Sequence, residues 1–224
     1  MKITFLGQAG LLFDLDGVKV MIDPYLSNSV EKVEPKNYRR QPIDESYFDI
    51  KPDILILTHN HLDHTDPETL EKLFSKHNGI CVLASGNAWH TVRKFGGDNN
   101  YVMFNRGTVW TEKGIRFEAV HAEHSDDRAI GVIISYGGSN YYITGDTLYN
   151  KKVINDINLP IDAVFLPING AGNNMNMTDA ARFAEIIKAK VAVPVHFGMF
   201  DNLNPEDFNF KNKVIPQIYK EIKL

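Results

Sequence analysis

The sequence predicts an α/β protein with two β-rich halves, each followed by helices. The first observation is a hairpin signal, in which the turn Asp16-Gly17 separates the strand-like runs Leu11–Leu15 and Val18–Ile22. The second is another series of short strand-like runs with glycine-rich turns, which begins at Tyr101. The third is that strand and helix patterns alternate after each series, as they do in α/β proteins.

The first half begins with strands and continues into a strand–helix alternation. Between them lies a long polar segment, Tyr25 to Pro52, with prolines at Pro35 and Pro42. Such a segment is uncommon inside a domain, and it is interpreted either as a lid over a site or as a solvated excursion. The predicted strands are Lys2–Leu6, Leu11–Leu15, Val18–Ile22, Ile54–Leu57 and Ile80–Ala84, and the predicted helices are Pro67–Lys76 and Asn87–Phe95.

The second half repeats this order weakly. In both halves a hairpin strand leads to an acidic residue, Asp23 in the first and Asp146 in the second. Thr178-Asp179 is a typical N-cap for a helix at Ala180–Lys190, and a closing helix is predicted at Val214–Ile222. The predicted strands are Tyr101–Phe104, Thr108–Thr111, Ile115–His121, Ala129–Tyr136, Asn140–Thr144, Ala163–Leu166 and Val191–Val195.

Length and composition favour one soluble domain over residues 1–224. The chain is 43% hydrophobic and 23% charged, which is ordinary for a globular protein. Its net charge is −4 with no dense basic run, so we expect no nucleic-acid partner. No apolar run is long enough to cross a membrane, and the single cysteine, Cys81, excludes a disulfide framework. We therefore expect a cytoplasmic protein with a small-molecule substrate, and homo-oligomerisation stays open.

One short stretch carries most of the chemistry, His59-Asn60-His61-Leu62-Asp63-His64, directly after the buried run Ile54–Leu57. Residues two apart in an extended segment share a face, so His59 and His61 point the same way. A turn into the following helix would bring Asp63 and His64 to a neighbouring position. Imidazole and carboxylate are typical ligands of zinc, manganese or iron. The alternative is a polar turn that happens to be rich in histidine.

Three further candidate ligands also fall at strand ends, where sites are commonly built. His121 competes with one of them, His124, but it lies within the predicted strand, so the loop residue His124 is favoured. Asp23 is interpreted as a hydrogen-bond partner of a ligating histidine or as a turn cap. The predicted site holds two metals, the first on His59, His61 and His124, the second on Asp63, His64 and His196, with Asp146 bridging them.

The order of these motifs resembles the metallo-β-lactamase superfamily. The resemblance rests on His59-x-His61-x-Asp63-His64, His124, Gly145-Asp146-Thr147 and Val195-His196. Within the superfamily the chain is similar to the L-ascorbate-6-phosphate lactonase-like branch, through Ser125–Ala129, Asn169–Ala180 and Ala189–His196. The resemblance implies a four-layer αββα sandwich with the metals at one edge. The chain lacks that lactonase's N-terminal extension and insertions, so its substrate is not carried over.

The predicted activity is metal-dependent hydrolysis of a lactone, amide or ester, with two divalent ions, Zn or Mn, as cofactors. The ions would lower the pKa of a bridging water to ~7 and make it a nucleophile. Asp63 is expected to act as a general base and Asp146 to position the hydroxide. An anionic substrate is one version of this prediction, with Arg128 as its partner, although an ion pair of Arg128 with a neighbouring aspartate is the alternative. Asn169 and Asn173 are predicted to line the pocket.

Three other functions are compatible with the motif to different degrees. A phosphodiesterase or nuclease is the main alternative, because RNA-processing members of the superfamily use the same ligands. A redox diiron protein is disfavoured because the redox members of the superfamily carry Glu at the position that corresponds to His61. A non-catalytic metal-binding module is disfavoured by a ligand set that leaves room for an exchangeable water.

Overall fold

Two six-stranded sheets form the centre of the computed structural model, which describes residues 1–224. The first sheet comprises β1 (Lys2–Gly7), β2 (Gly10–Leu15), β3 (Val18–Ile22), β4 (Ile54–Leu57), β5 (Cys81–Ala84) and β6 (Asn100–Met103). The second sheet comprises β7 (Val109–Glu112), β8 (Ile115–His121), β9 (Ile130–Tyr136), β10 (Ser139–Ile143), β11 (Ala163–Pro167) and β12 (Val191–Val195).

Both sheets change from antiparallel to parallel pairing at an equivalent strand. In the first sheet β1, β2 and β3 are antiparallel neighbours, and β3, β4, β5 and β6 are parallel. In the second sheet β7 to β10 are antiparallel, and β10, β11 and β12 are parallel. The strands β3 and β10 therefore occupy the same topological position, and Asp23 and Asp146 follow them. This topology agrees with the internal repeat predicted from the sequence.

Four α-helices lie outside the sheets, and local sequence explains where they begin. The Asp66 carboxylate accepts hydrogen bonds from the first-turn amides of Glu68 and Thr69, and the Asn176 side chain accepts one from Asp179. The helices are α1 (Pro67–Lys76), α2 (Gly86–Val92), α3 (Lys151–Asn155) and α4 (Met177–Ile186), with 3-10 turns at Val30–Lys32, Glu45–Asp49, Arg93–Phe95 and Pro205–Asp207.

Side-chain alternation along the strands divides the interior into three packed layers. In β4, Ile54 and Ile56 lie in the core between the two sheets, whereas Leu55 and Leu57 lie beneath α1 and α2. On the other side, Phe183 of α4 packs on the outer face of the second sheet. Every side chain of β4 is buried because both faces are covered, and each contributes about 1.5 to 3 kcal/mol of hydrophobic stabilisation. The predicted αββα sandwich is confirmed.

The strand predictions agree with the structure to within a residue or two, but the helix predictions fail near the C-terminus. The predicted closing helix at Val214–Ile222 is wrong. The segment instead runs along the edge strand β1, where Tyr219 N–H donates to the Phe5 carbonyl at 2.6 Å. Pro216 lacks the N–H that a helix would need, and the segment covers the open edge of the first sheet.

One further helix prediction needs correction, and one short helix was not predicted. The helix α4 begins at Met177 with Asn176 as its N-cap, rather than at Ala180 after Thr178-Asp179, and it ends at Ile186 instead of Lys190. The short helix α3 was absent from the predictions because five residues give too little periodicity to recognise. None of the helices has both the length and the apolar character needed to span a membrane.

Candidate metal centre

The predicted ligands converge at the edge where the parallel strands of both sheets end. The histidine-rich stretch follows β4 and forms a tight turn, in which His64 N–H donates to the His61 carbonyl at 3.0 Å. Asp146 follows β10 through Gly145, which has a φ of +60°. His196 follows β12 and itself has a φ of +59°, a conformation that is rare for histidine. Its backbone N–H donates to the carbonyl of Gln8 at 2.6 Å, which holds it there.

The first group consists of His59, His61 and His124, whose ligand atoms all lie within 4.8 Å of one another. His61 Nδ1 lies 3.0 Å from His124 Nε2. Two nitrogen ligands of a tetrahedral zinc at about 2.0 to 2.1 Å lie roughly 3.3 Å apart, so this spacing fits a shared ion. His121 is not part of the group, because its Nε2 faces the Glu123 carboxylate at 3.3 Å.

The second group consists of Asp63, His64 and His196, again with all ligand atoms within 4.8 Å. His196 Nε2 lies 3.3 Å from Asp63 Oδ2, and His64 Nε2 lies 3.7 Å from the same oxygen. The side chain of His64 is fully buried and that of Asp63 is 16% exposed. The carboxylate is therefore the most exposed member of this group, and it lines a cavity together with His196.

Asp146 lies between the two groups. Its Oδ1 is 3.3 Å from His64 Nε2, and its Oδ2 is 3.2 Å from His196 Nε2. The same Oδ2 is 3.9 Å from His124 Nε2 in the first group. A carboxylate that reaches members of both groups has the position required of a bridging ligand.

Hydrogen bonds behind the imidazoles leave one ring nitrogen of each free for the site. His64 Nδ1 lies 2.8 Å from Asp23 Oδ2, and His59 Nδ1 lies 3.1 Å from the Thr58 hydroxyl. His124 Nδ1 faces the carbonyl of Asn173 at 3.2 Å. Partners of this kind hold a metal-binding histidine in one orientation. Asp23 accordingly has the supporting position that the sequence indicated.

The site residues also perturb one another's ionisation. Burial opposes the charge of His196, but the Asp146 and Asp63 carboxylates outweigh it and raise the pKa of His196 to about 10. Burial likewise opposes the charge of His64, and Asp146 and Asp63 nevertheless hold its pKa well above the usual value. Burial and the neighbouring charge of His64 hold the pKa of His59 well below its usual value. The charged form is therefore disfavoured for the pKa-lowered His59 and favoured for His64 and His196, whose pKa values are raised.

The donor set fits a bound divalent metal. His59 Nε2 is buried and has no hydrogen-bond partner. An unpartnered buried ring nitrogen is costly unless it binds something, and a metal ion satisfies it. Imidazole and carboxylate together suit Zn or Mn, and these ligands do not distinguish between the two.

Two residues of the site escaped the sequence predictions. Gln8, in the turn after β1, is buried with a φ of +53°, and its Nε2 lies 2.7 Å from Asp63 Oδ2 and 3.0 Å from His196 Nε2. Asn174 is buried and donates from Nδ2 to Asp146 Oδ2 at 2.8 Å. Both are amide side chains in turns, and only the spatial approach of those turns to the site marks them as functional.

A cavity of about 620 Å³ opens above the two groups. Asn169 and Asn173 line it, as predicted, and so does Asn174. Arg128 does not line it, which corrects its predicted role as a substrate contact. Its side chain is exposed and lies against Gly86, and its backbone N–H donates to the Asp126 carboxylate.

The polar segment between Tyr25 and Pro52 forms part of the cavity wall. Val30, Val33 and Glu34 line the cavity from this segment. Arg39 secures the segment, because its guanidinium donates to the carbonyls of Tyr25 and Gln41 and to the hydroxyl of Tyr219. The segment therefore lies where a lid over the site would lie. Movement of the segment as a lid remains a prediction.

An αββα sandwich with His and Asp clusters at the ends of its parallel strands defines the class of protein as one with the metallo-β-lactamase fold. A family comparison gives the same result, because the beta-lactamase superfamily domain matches residues 2–196. The chain belongs to this superfamily, as its motifs predicted. The relation to the lactonase-like branch is not tested by this match.

Individual relatives match over nearly the whole chain. A protein of Thermoplasma acidophilum named a UPF0173 metal-dependent hydrolase is 30% identical, over 100% of this chain and 99% of the relative. A protein of an Exiguobacterium species with the same family name is 32% identical, over 89% of this chain and 87% of the relative. The structure of Igni18, a metallo hydrolase from Ignicoccus hospitalis, has a TM-score of 0.79 at 21% identity, over 98% and 96% of the two chains, and supports the fold.

Proposed function

We propose that this protein is a metal-dependent hydrolase that uses two divalent ions to cleave a lactone, amide or ester of a small molecule. The observation that carries the proposal is the convergence of two ligand groups around one carboxylate, Asp146, beneath an open cavity. The relatives are named metal-dependent hydrolases, which supports the reaction class. A lactone is included among the candidate substrates because the sequence resembles the lactonase-like branch.

The proposed ligand assignment follows the two groups. His59, His61 and His124 would hold one ion, and Asp63, His64 and His196 the other, with Asp146 between them. When bound, the ions supply a water of lowered pKa and an electrophile for the substrate oxygen. Hydrogen-bond partners at Nδ1 orient three of the imidazoles, which leaves their Nε2 atoms to hold the ions.

The carboxylates have distinct proposed roles. Asp63 is the partly exposed carboxylate at the cavity floor, and it would accept the proton of the attacking water as a general base. Gln8 donates to Asp63 Oδ2 and thereby holds that carboxylate in one orientation. Asp146 is held by the Asn174 amide and would keep the attacking water between the two groups. General-base catalysis of this kind contributes about 10² to 10⁴ in rate.

The test begins with elemental analysis of protein purified without added metal. Metal-loaded protein is then assayed against a panel of lactones, esters, amides and phosphodiesters, before and after removal of metal with a chelator. We expect about two ions per chain and hydrolysis of a carbonyl substrate that the chelator abolishes. The variants Asp63→Ala and Asp146→Ala should each lower kcat/KM by at least about 10²-fold.

The matched control is Asp127→Ala, an exposed carboxylate in the same loop as His124 that contacts the Asn87 amide rather than any predicted ligand. It should leave metal content and turnover unchanged. Full activity of the Asp63→Ala variant, or chelator-insensitive hydrolysis, would contradict the proposed mechanism. Phosphodiester cleavage in the absence of carbonyl hydrolysis would replace it with the nuclease alternative.

A further inference from the structure

The walls of the cavity differ in character above the metal centre. One wall is the loop 169–174, which carries Asn169, Asn173 and Asn174 between small residues. The apolar side chains of the lining, referred to as the apolar wall, come from the polar segment near its 3-10 turn, from the histidine-rich turn and from the segment after β12. They are Val30, Val33, Leu62, Phe200 and Leu203.

The apolar wall is firmly supported and open at its rim. Phe200 packs edge-on against the buried ring of Tyr25, with 5.6 Å between ring centroids, and Leu62 and Val30 belong to the same small cluster. Val33 is 67% exposed at the end of the 3-10 turn, although it lines the cavity. An apolar group bound in the cavity would cover the exposed part of this side chain.

The charges in the upper cavity all have one sign. Apart from the predicted ligands, the charged side chains in the lining are Glu34 and Asp201. Glu34 accepts a hydrogen bond from the Asn37 amide, and Asp201 accepts from the backbone N–H groups of Gly198 and Leu203. These partners are neutral, and no Lys or Arg lines the cavity. A negatively charged group on the part of the substrate that lies here would therefore be repelled by Glu34 and Asp201.

We infer that the substrate is uncharged at the end remote from the scissile bond and that this end carries an apolar group, which lies on the apolar wall. This inference rests on the proposed function for the position of the scissile bond. It departs from the anionic substrate considered from the sequence, because the cation proposed for that role, Arg128, lies outside the cavity. Glu34 then acts in selection, since its carboxylate disfavours anionic competitors.

Binding of hydroxamates to zinc-loaded protein tests the inference without requiring turnover. The hydroxamate group chelates metal, and n-alkyl chains of increasing length report on the wall. The dissociation constant from calorimetry should fall by roughly fourfold per methylene until the wall is covered. A matched chain ending in a carboxylate should bind about fivefold more weakly than its methyl-ended counterpart, and this penalty should shrink at high salt while the chain-length effect persists.

Charge reversal identifies the residue responsible. Glu34→Lys should abolish the roughly fivefold carboxylate penalty, because the new ammonium offsets the remaining charge of Asp201. The control is Glu31→Lys in the 3-10 turn that precedes Glu34. The Glu31 side chain does not line the cavity, so this variant should leave the penalty unchanged. Equal binding of all chain lengths, tighter binding of the carboxylate-ended chain by the native protein, or an unchanged preference in Glu34→Lys would each overturn the inference. Chain-length-dependent binding without hydrolysis of any substrate would instead reject the proposed function and leave the cavity as a binding site for an uncharged apolar group.

Discussion

A single carboxylate, Asp23, orients one imidazole from each ligand group. It accepts hydrogen bonds from the Thr58 backbone N–H at 2.8 Å and from the Thr58 hydroxyl at 2.5 Å, and it lies 2.8 Å from His64 Nδ1. The Thr58 hydroxyl in turn lies 3.1 Å from His59 Nδ1. Asp23 therefore acts directly on His64 and, through Thr58, on His59. Removing its charge should weaken both metal sites.

The variant Asp23→Asn isolates this effect because it leaves the backbone in place. Asp23 has a φ of +42°, and asparagine tolerates that conformation about as well as aspartate does. The amide, however, offers one acceptor oxygen and places N–H groups against donors. Losing a partner of this kind lowers metal affinity by about 10- to 100-fold. We expect both dissociation constants to rise by that factor, which is about 1.4 to 2.7 kcal/mol for each site.

A second variant separates the direct path from the indirect one. Thr58→Val removes the hydroxyl that links Asp23 to His59 but keeps the side-chain shape and the contact of Asp23 with His64. It should weaken the first site by about tenfold and leave the second near its native affinity. Comparison of the two variants therefore assigns each measured constant to a ligand group.

The assay is a zinc titration in the presence of a competing chelator, which resolves two constants over the picomolar to micromolar range. Urea unfolding of the metal-free variants checks that each one is folded at the start of the titration. The reasoning is refuted if Asp23→Asn retains both constants within twofold of native. It is also refuted if Thr58→Val weakens the second site as much as the first.

Three further predictions concern the same site. Gln8→Met removes the amide that donates to the carboxylate of Asp63. The kcat should fall about tenfold with KM nearly unchanged, since a hydrogen bond to a charged group contributes about 1.5 to 3 kcal/mol. Steady-state kinetics on the substrate identified by the panel measure both constants. Zinc binding near pH 7 should release protons chiefly from the second site, because the pKa of His196 is about 10 without metal while that of His59 is below its usual value. Affinity at the second site should therefore rise between pH 7 and 10, and calorimetry in buffers of different ionisation enthalpy measures the released protons. Gly145→Ala should destabilise the protein by about 2 kcal/mol or more in urea unfolding, because the added Cβ would lie 2.7 Å from a carbonyl oxygen of β9 at a φ of +60°.

The parts of the fold that could be predicted are those in which local pattern and tertiary environment agree. Ile54–Leu57 was predicted as a buried strand from four consecutive apolar residues, and it is a parallel strand with both faces covered. Pro67–Lys76 was predicted as a helix, and it begins and ends at those residues. The segment Val214–Ile222 has a helix-like apolar spacing, but the open edge of β1 supplies backbone partners that the spacing does not reveal.

The candidate site divides in the same way. His59, His61, Asp63 and His64 lie within six residues, so their type and spacing indicate a metal without any knowledge of the fold. Gln8 could not be predicted, because a single glutamine in a turn becomes significant only when that turn approaches β12 and its His196. The prediction that Arg128 contacts the substrate was wrong for a different reason. Its position in the loop that carries His124 did not determine whether its side chain would line the cavity.

The repeated topology explains why the centre lies at the junction of the two halves. The strands β3 and β10 are equivalent, and the acidic residue after each one contacts the same imidazole, that of His64. Asp23 reaches Nδ1 at 2.8 Å, and Asp146 reaches Nε2 at 3.3 Å. Equivalent carboxylates have thus taken unequal roles, one behind the ring and one in front of it. Asp23 and His64 both follow strands of the first sheet, whereas Asp146 follows a strand of the second sheet. A change in the packing of the two sheets should therefore alter the contact of His64 with Asp146 and leave its contact with Asp23 in place.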